Sequence, residues 1–181
     1  APVEAAALGR FLPRWHELGT AREGVNRLME VVAQLEGLEL PWSALQSHIL
    51  PARVSGFSPD LLDLAAATGQ LLWVGRAALG SRDGRIALFS RERCQTLLIP
   101  PEVPDDADAV HQAIRSHLES RGASFLFELE DAIKQDLGDV ARQEFESALW
   151  DLVWAGQITN DGFAPLRSLG APRRRRGAGS A

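Results

Sequence analysis

The sequence predicts a mainly α-helical fold with small β-hairpins, arranged as two tandem winged-helix modules. The first observation is an internal repeat. Residues 61–71 and residues 148–158 each have the pattern of an apolar helix that ends at a Gly-Gln pair. The second observation is that a short β-like run and an Asp-Gly turn signal follow each stop. Helix, glycine stop, strand, tight turn and strand form the second half of a winged helix, so the repeat predicts two such modules.

Composition is that of a globular protein with an acidic body. Hydrophobic residues make up 45% and charged residues 24% of the 181 residues. Removing the four tail arginines from the 19 Lys plus Arg leaves 15 basic against 24 acidic residues. An acidic body does not bind phosphate backbones broadly, so any contact with nucleic acid must come from local basic patches.

Three further features concern the cellular setting. No apolar run reaches the roughly 18 residues that span a bilayer, and the first residues do not resemble a signal peptide. Cys94 is the only cysteine, which excludes an intrachain disulfide. We therefore expect no membrane partner and a reducing, cytoplasmic location.

Residues 1–20 are predicted as a linker rather than a helix. Pro13 interrupts a helical pattern there, because proline lacks a backbone N–H and clashes with the preceding turn. The linker would lay Phe11, Leu12 and Trp15 on a neighbouring surface.

Residues 21–100 are predicted as the first winged helix. A first helix from Val25 ends at Gly37, a β-like step leads to Pro41, and a second helix runs from there to Pro51. Ser58-Pro59 is a strong start signal for the third helix. The strand 70–74, the turn 80–84 and the strand 85–89 complete the module.

Residues 101–170 are predicted as a second winged helix with a short wing. Its three helices are indicated by apolar spacing: a first one that ends at Gly122, a second one after a β-like step at Phe125-Leu126-Phe127, and the repeated third helix. Ile158 would begin a strand and Asn160-Asp161-Gly162 a hairpin. The Arg- and Gly-rich tail 171–181 is expected to be disordered.

The motifs of catalysis are missing from the sequence. It has no Gly-x-x-x-x-Gly-Lys segment for ATP phosphates, and its four histidines are not at metal-ligand spacing. Acidic side chains cluster in the second module, where a solvated helix face is the alternative to acid–base chemistry. We predict no catalytic residue, no metal site and no cofactor in this chain.

Arginines supply the predicted contacts with DNA. Five of them flank or follow the tip of the first hairpin: Arg76, Arg82, Arg85, Arg91 and Arg93. The third helix of the same module carries Asp60 and Asp63 but no arginine, which argues against the reading of base edges. The hairpin is therefore predicted to touch phosphates. A second candidate for phosphate contact, with a solvated linker as its alternative, is the tail run Arg173, Arg174, Arg175 and Arg176.

Several strings together resemble the C-terminal region of the large helicase-related (Lhr-type) proteins. They are Arg10 to Trp15, Leu50 to Val54, Trp73-Val74-Gly75 and, most specifically, Ala148 to Asp161 with its continuation Ala164 to Arg167. The resemblance runs from about Arg10 to Leu169.

That resemblance implies a non-catalytic piece of a bacterial superfamily 2 DNA helicase. Such helicases use ATP, with magnesium, to move 3′ to 5′ on single-stranded DNA, and they are linked to DNA repair. Their motor lies N-terminal, and their C-terminal extension is similar to a string of winged helices. The implied partners of the chain are DNA, as an auxiliary contact, other domains of the parent helicase and further copies of itself, in a nucleoid-associated role.

Two other functions stay open from the residues alone. A sequence-specific transcription regulator would need base-contacting side chains on the third helices, which are acidic. A glycosylase module for damaged bases would need a carboxylate in a cleft of the size of a base.

Overall fold

The computed structural model describes residues 2–99 and 108–170. Within these ranges the helices are α1 Ala5–Trp15, α2 Gly24–Leu35, α3 Trp42–Ala44, α4 Pro59–Ala67, α5 Arg91–Leu97, α6 Ala109–Arg121, α7 Leu126–Leu137, α8 Arg142–Trp154 and α9 Ala164–Gly170. The strands are β1 Leu40–Pro41, β2 Leu71–Ala78 and β3 Gly84–Ser90. The mainly helical class and the first hairpin, β2 with β3, are as predicted.

The order of α2, β1, α3, α4, β2 and β3 is that of a winged helix. The three strands form one sheet in the order β1-β3-β2, and β1 runs antiparallel to β3 with Leu40 opposite Ile86. One wide helical turn, Leu45–Ile49, continues α3, since the Leu50 N–H donates to the Leu45 carbonyl five residues back. The predicted helix between Pro41 and Pro51 is thereby confirmed.

The chain divides into two compact units. The described residues of the first are 2–73, 77–98 and 160–170, and those of the second are 74–76, 99 and 108–159. Residues 160–170, which the sequence pattern grouped with the second module, thus belong to the first unit.

The core of the first unit lies between α2, α4 and the sheet. Leu28, Val31 and Val32 on α2 are fully buried, as are Leu62 on α4 and Phe89 on β3. Trp42 and Trp73 are also buried, so neither ring is free to stack on a base.

The core of the second unit lies between α6, α7 and α8. Ile114, Ile133 and Phe145 contribute one side chain from each helix, and each is 1% exposed or less. This unit therefore has the three helices that the sequence predicts for the second module.

The predicted second wing is wrong. Asn160-Asp161-Gly162 does not turn a hairpin, and Ile158 is not in a strand. The side-chain oxygen of Asn160 accepts a hydrogen bond from the Gly162 N–H at 2.9 Å, and α9 begins two residues later. Here the Asn-Asp-Gly sequence forms a turn that precedes a helix and not a hairpin, because Phe163 packs in the core of the first unit.

Two smaller predictions are also wrong. The helix α1 continues through Pro13, which lies in its last turn, where only the hydrogen bond to a single carbonyl is lost. Phe125-Leu126-Phe127 is not a β-like step, since Leu126 begins α7 and the Glu128 carboxylate accepts a hydrogen bond from the Phe125 N–H at 3.2 Å.

The tail prediction and its four arginines, Arg173, Arg174, Arg175 and Arg176, lie outside the described residues. Among the residues that are described, no helix is long and apolar enough to cross a bilayer.

Candidate nucleic-acid interface

The hairpin between β2 and β3 is fastened to the start of α3 by Asp83. The Asp83 carboxylate accepts hydrogen bonds from the Ser43 N–H at 3.1 Å and from the Ser43 hydroxyl at 2.5 Å. It also accepts one from the Gly84 N–H at 2.9 Å, and the Asp83 carbonyl accepts one from the Leu79 N–H. The tip therefore has a defined position relative to α3, and the Asp83 carboxylate is occupied by two backbone N–H groups and one hydroxyl.

Arg82 and Arg85 are the two arginines that this hairpin presents to solvent. Both are exposed, Arg82 at the tip and Arg85 on β3 opposite Pro41 of β1. Within the described ranges neither side chain makes a hydrogen bond or an ion pair. An exposed guanidinium without a carboxylate partner is suited to bind a phosphate.

The other three predicted arginines are placed differently. Arg91 and Arg93 lie on α5, a helix that the sequence pattern did not predict, and Arg91 is exposed. The Arg93 guanidinium is 3.1 Å from the Glu36 carboxylate, whose side chain is only 3% exposed. Arg76 is half-buried and interacts with other groups of the protein. Of the five, Arg82 and Arg85 are the exposed arginines of the hairpin, Arg76 is half-buried on β2 of that hairpin, and Arg93 is paired with Glu36.

Glu36 is a buried anchor that sequence reasoning missed. Besides Arg93 it receives hydrogen bonds from the Ser90 N–H at 2.7 Å and from the Ser90 hydroxyl at 2.6 Å. This carboxylate also contributes, after burial itself, to raising the pKa of the nearby Cys94 thiol. A buried thiol with a raised pKa is a poor nucleophile.

The third helix α4 is engaged within its own unit. The Arg167 guanidinium of α9 makes two hydrogen bonds, of 3.2 and 2.7 Å, with the two Asp63 carboxylate oxygens. The Asp63 carboxylate also lies 3.4 Å from the Phe163 N–H, which donates to it. Asp63 on α4 is therefore committed to α9 rather than to a groove of DNA.

Phe163 locks α9 in place. Its ring is fully buried, 5.6 Å from the Trp42 ring and 6.4 Å from the Trp73 ring. The Trp73 indole N–H donates to the Gly162 carbonyl at 3.1 Å. Sequence reasoning missed Phe163 and Arg167 as structural residues, because the contacts they make are about 90 to 120 residues away along the chain.

A shallow groove of about 440 Å³ lies on the second unit between the start of α6 and α8. The His111 ring is 2.7 Å from the Asp108 carboxylate through Nδ1 and 3.6 Å from that of Asp151 through Nε2. Hydrogen bonds from the His111 backbone and side chain lower the pKa of Asp108 below its usual range. Glu144 also lines this groove, so acids and one imidazole meet there.

Two other acidic side chains of the second unit, Glu130 and Glu146, form ion pairs. Glu130 pairs with Lys134 at 2.8 Å, and that hydrogen bond lowers the pKa of Glu130. Glu146 pairs with Arg142 at 2.8 Å. In the described part of the chain no three His, Cys, Asp or Glu side chains are placed to hold a metal ion.

Comparison with known proteins relates this sequence to one family. Residues 3–91 match the family model of the winged-helix domain of large helicase-related protein. A Mycolicibacterium smegmatis protein named Lhr helicase/probable uracil glycosylase is 36% identical over 178 residues, which are 98% of this chain and 12% of that protein. An Escherichia coli protein named Lhr helicase/uracil glycosylase is 41% identical over 149 residues, which are 81% of this chain and 10% of that protein. The chain thus spans about a tenth of the length of these relatives.

Proposed function

The chain belongs to the family of large helicase-related proteins, and on that premise we propose that it is a non-catalytic accessory region of a longer ATP-dependent 3′–5′ DNA helicase that acts in DNA repair. Its role is to orient the motor and neighbouring domains and to add an auxiliary contact with DNA. ATP and magnesium bind outside this chain, whose sequence has no phosphate loop. The protein works on the bacterial nucleoid, where further copies of the chain are candidate partners.

The proposed DNA contact rests on the exposure of the Arg82 and Arg85 side chains. They are exposed on a hairpin whose tip Asp83 holds in place, whereas Arg93 is paired with Glu36. Two guanidinium groups without a partner among the described residues, on a fixed hairpin, suit the phosphate backbone, which sequence-independent binding uses.

The scaffold role is supported by how α4 is used. A helix that reads bases needs several arginine, lysine, asparagine or glutamine side chains on its open face. Here α4 has none, and the Asp63 carboxylate binds Arg167. These observations favour a module that holds other parts of a protein, and they disfavour a sequence-specific transcription regulator.

The test is DNA binding by the full-length protein across a series of salt concentrations. Changing both Arg82→Ala and Arg85→Ala should weaken binding equally for all sequences and reduce the salt slope by about 2, if each contacts one phosphate. A matched control changes Arg121→Ala and Arg142→Ala, two exposed residues of the second unit, with the same loss of charge. Equal effects of both pairs would refute a specific role of the hairpin.

Excision of a damaged base is a second candidate, favoured by the names of both relatives and by the acidic groove of the second unit. There Asp151 would accept a proton from the water that attacks C1′ of the sugar, while the bond between C1′ and the base nitrogen breaks and the departing base takes up a proton from solvent; the His111 ring lies 3.6 Å from the Asp151 carboxylate. Cleavage of a uracil-containing oligonucleotide by the full-length protein, and its loss in Asp151→Asn, would support this function. Unchanged cleavage in that variant would exclude this groove as the site.

A further inference from the structure

The helix α1 carries an apolar face that no described residue covers. Four side chains at helical spacing form this face, and Leu8, Phe11, Leu12 and Trp15 are 48%, 52%, 41% and 58% exposed. The Phe11 and Trp15 rings stack on each other at 5.5 Å. No residue of α1 is buried, so its apolar face is not part of the core of the first unit.

The sequence of α1 gives this helix little stability of its own. It has 11 residues, with Gly9 in its middle, Pro13 in its last turn and no side-chain cap at its start. Isolated helices shorter than about 12–15 residues are marginal even with favourable residues, and most helices are stabilised by packing of an apolar face. A persistent α1 therefore calls for a partner on its exposed face.

The junction behind α1 holds the helix at a set angle. Glu17 has the left-handed φ of 48°, which costs energy for a residue with a side chain. Its carboxylate is held by Arg22 at 3.0 Å and by the buried Arg27 at 2.5 Å. The ion pairs offset the strain, so the apolar face is presented in a defined direction.

We infer that this face docks into an apolar groove with an acidic rim, on a domain of the same polypeptide that lies outside this chain. The inference rests on the proposed function, because it requires the longer protein. The acidic rim follows from charge: the only charged residues of α1 are Arg10 and Arg14, and Arg14 lies at the border of the apolar face.

Two observations favour this occupant over a second copy or a nucleic acid. The relatives that match 98% and 81% of the chain are roughly eight to ten times longer, since the match covers 12% and 10% of them. A tethered domain competes at an effective concentration of about 1 mM, far above that of a second copy. A nucleic acid would need several cations beside the stacked rings, whereas α1 has one at the border of this face, Arg14, and Arg10 lies on the opposite face.

The test places the photo-crosslinking amino acid p-benzoylphenylalanine at position 11 of the full-length protein, by Phe11→p-benzoylphenylalanine. The matched control is the same substitution at Arg10, on the opposite face. We expect position 11 to give cross-links inside one polypeptide, at least tenfold above the control, to apolar residues flanked by carboxylates. A product of dimer mass, an adduct with added single-stranded DNA, or a yield equal to the control would each overturn the inference.

A second variant covers the case in which the bulky probe disturbs docking. Phe11→Ser together with Trp15→Ser should increase amide exchange in α1 of the full-length protein at least tenfold, and exchange in the α2 core should not change. Unchanged exchange in α1 would also overturn the inference. The result is independent of the Arg82 and Arg85 experiment, so the docked helix and the DNA contact fail or hold separately.

Discussion

The Arg167 guanidinium and the Asp63 carboxylate form a two-point pair, with N–O distances of 3.2 and 2.7 Å, that ties the last described helix to the third helix of the winged fold. The side chains are 30% and 38% exposed. Water therefore weakens the pair only partly, and its planar two-point geometry favours it over a single contact. The pair thereby links α9 to α4, a helix in the first half of the chain.

A double-mutant cycle tests that pair. Asp63→Ala and Arg167→Ala should each lower the free energy of unfolding, and their coupling energy should be about 1 kcal/mol, because the pair is charge-assisted but partly exposed to water. The measurement is urea unfolding of both single variants and the double variant. Strictly additive effects would show that the pair contributes nothing to stability.

Phe163 should contribute strongly to the stability of the first unit, although it lies just before the last described helix, α9. Phe163→Ala removes a fully buried ring that packs on Trp42, so we expect a loss of about 3–5 kcal/mol in unfolding free energy. Urea unfolding followed by tryptophan fluorescence measures it directly. Phe127→Ala is the control, since that ring is 64% exposed and its loss should change stability by less than about 0.5 kcal/mol. Similar losses in the two variants would contradict the packing described for α9.

The part of the first unit from α2 to β3 was predictable because local signals mark where its elements begin and end. Ser58-Pro59 begins α4, and Asp83-Gly84 lies at the tip of the hairpin, as the sequence indicates. These residues act through their own backbone: proline sets its φ, and the Asp83 side chain bonds the next N–H. Such effects need no knowledge of distant parts of the chain.

The turn and helix formed by residues 160–170 were not predictable from local signals. Asn160-Asp161-Gly162 has the composition of a hairpin turn, yet α9 follows because Phe163 finds Trp42 and Trp73 in space. Of the candidate DNA contacts, exposure of Arg82 and Arg85 accords with their place at a turn. The pairing of Arg93 with the buried Glu36 depends on tertiary structure, because the two residues are 57 positions apart in the sequence. Long-range packing therefore determines the structure of residues 160–170 and the pairing of Arg93, which local sequence patterns do not specify.

Gly75 lies so close to α8 that no other residue fits. A Cβ atom at this position would be 2.0 Å from the Val153 carbonyl oxygen, a backbone atom that cannot turn aside. Gly75→Ala should destabilise the second unit by about 1–3 kcal/mol or more, because backbone must move to make room. Gly9→Ala is the control: a Cβ there meets nothing within 4 Å, and alanine favours the helix by about 1 kcal/mol. Amide exchange of α8 measures the effect, and unchanged protection in Gly75→Ala would disprove the close approach.

Asp83 gives a prediction in which geometry and net charge oppose each other. Asp83→Ala removes a negative charge next to Arg82, which by electrostatics alone should strengthen binding to DNA. It also removes the hydrogen bonds from Ser43 and Gly84 that hold the hairpin, so Arg82 and Arg85 lose their common position. We expect DNA affinity to fall about threefold to tenfold, since ordering a loose hairpin on binding costs about 1 kcal/mol. Asp60→Ala, an exposed carboxylate on α4, is the charge-matched control and should raise affinity slightly. If both variants bind DNA more tightly than the unchanged protein, the fixed hairpin is not what positions the two arginines on the phosphates.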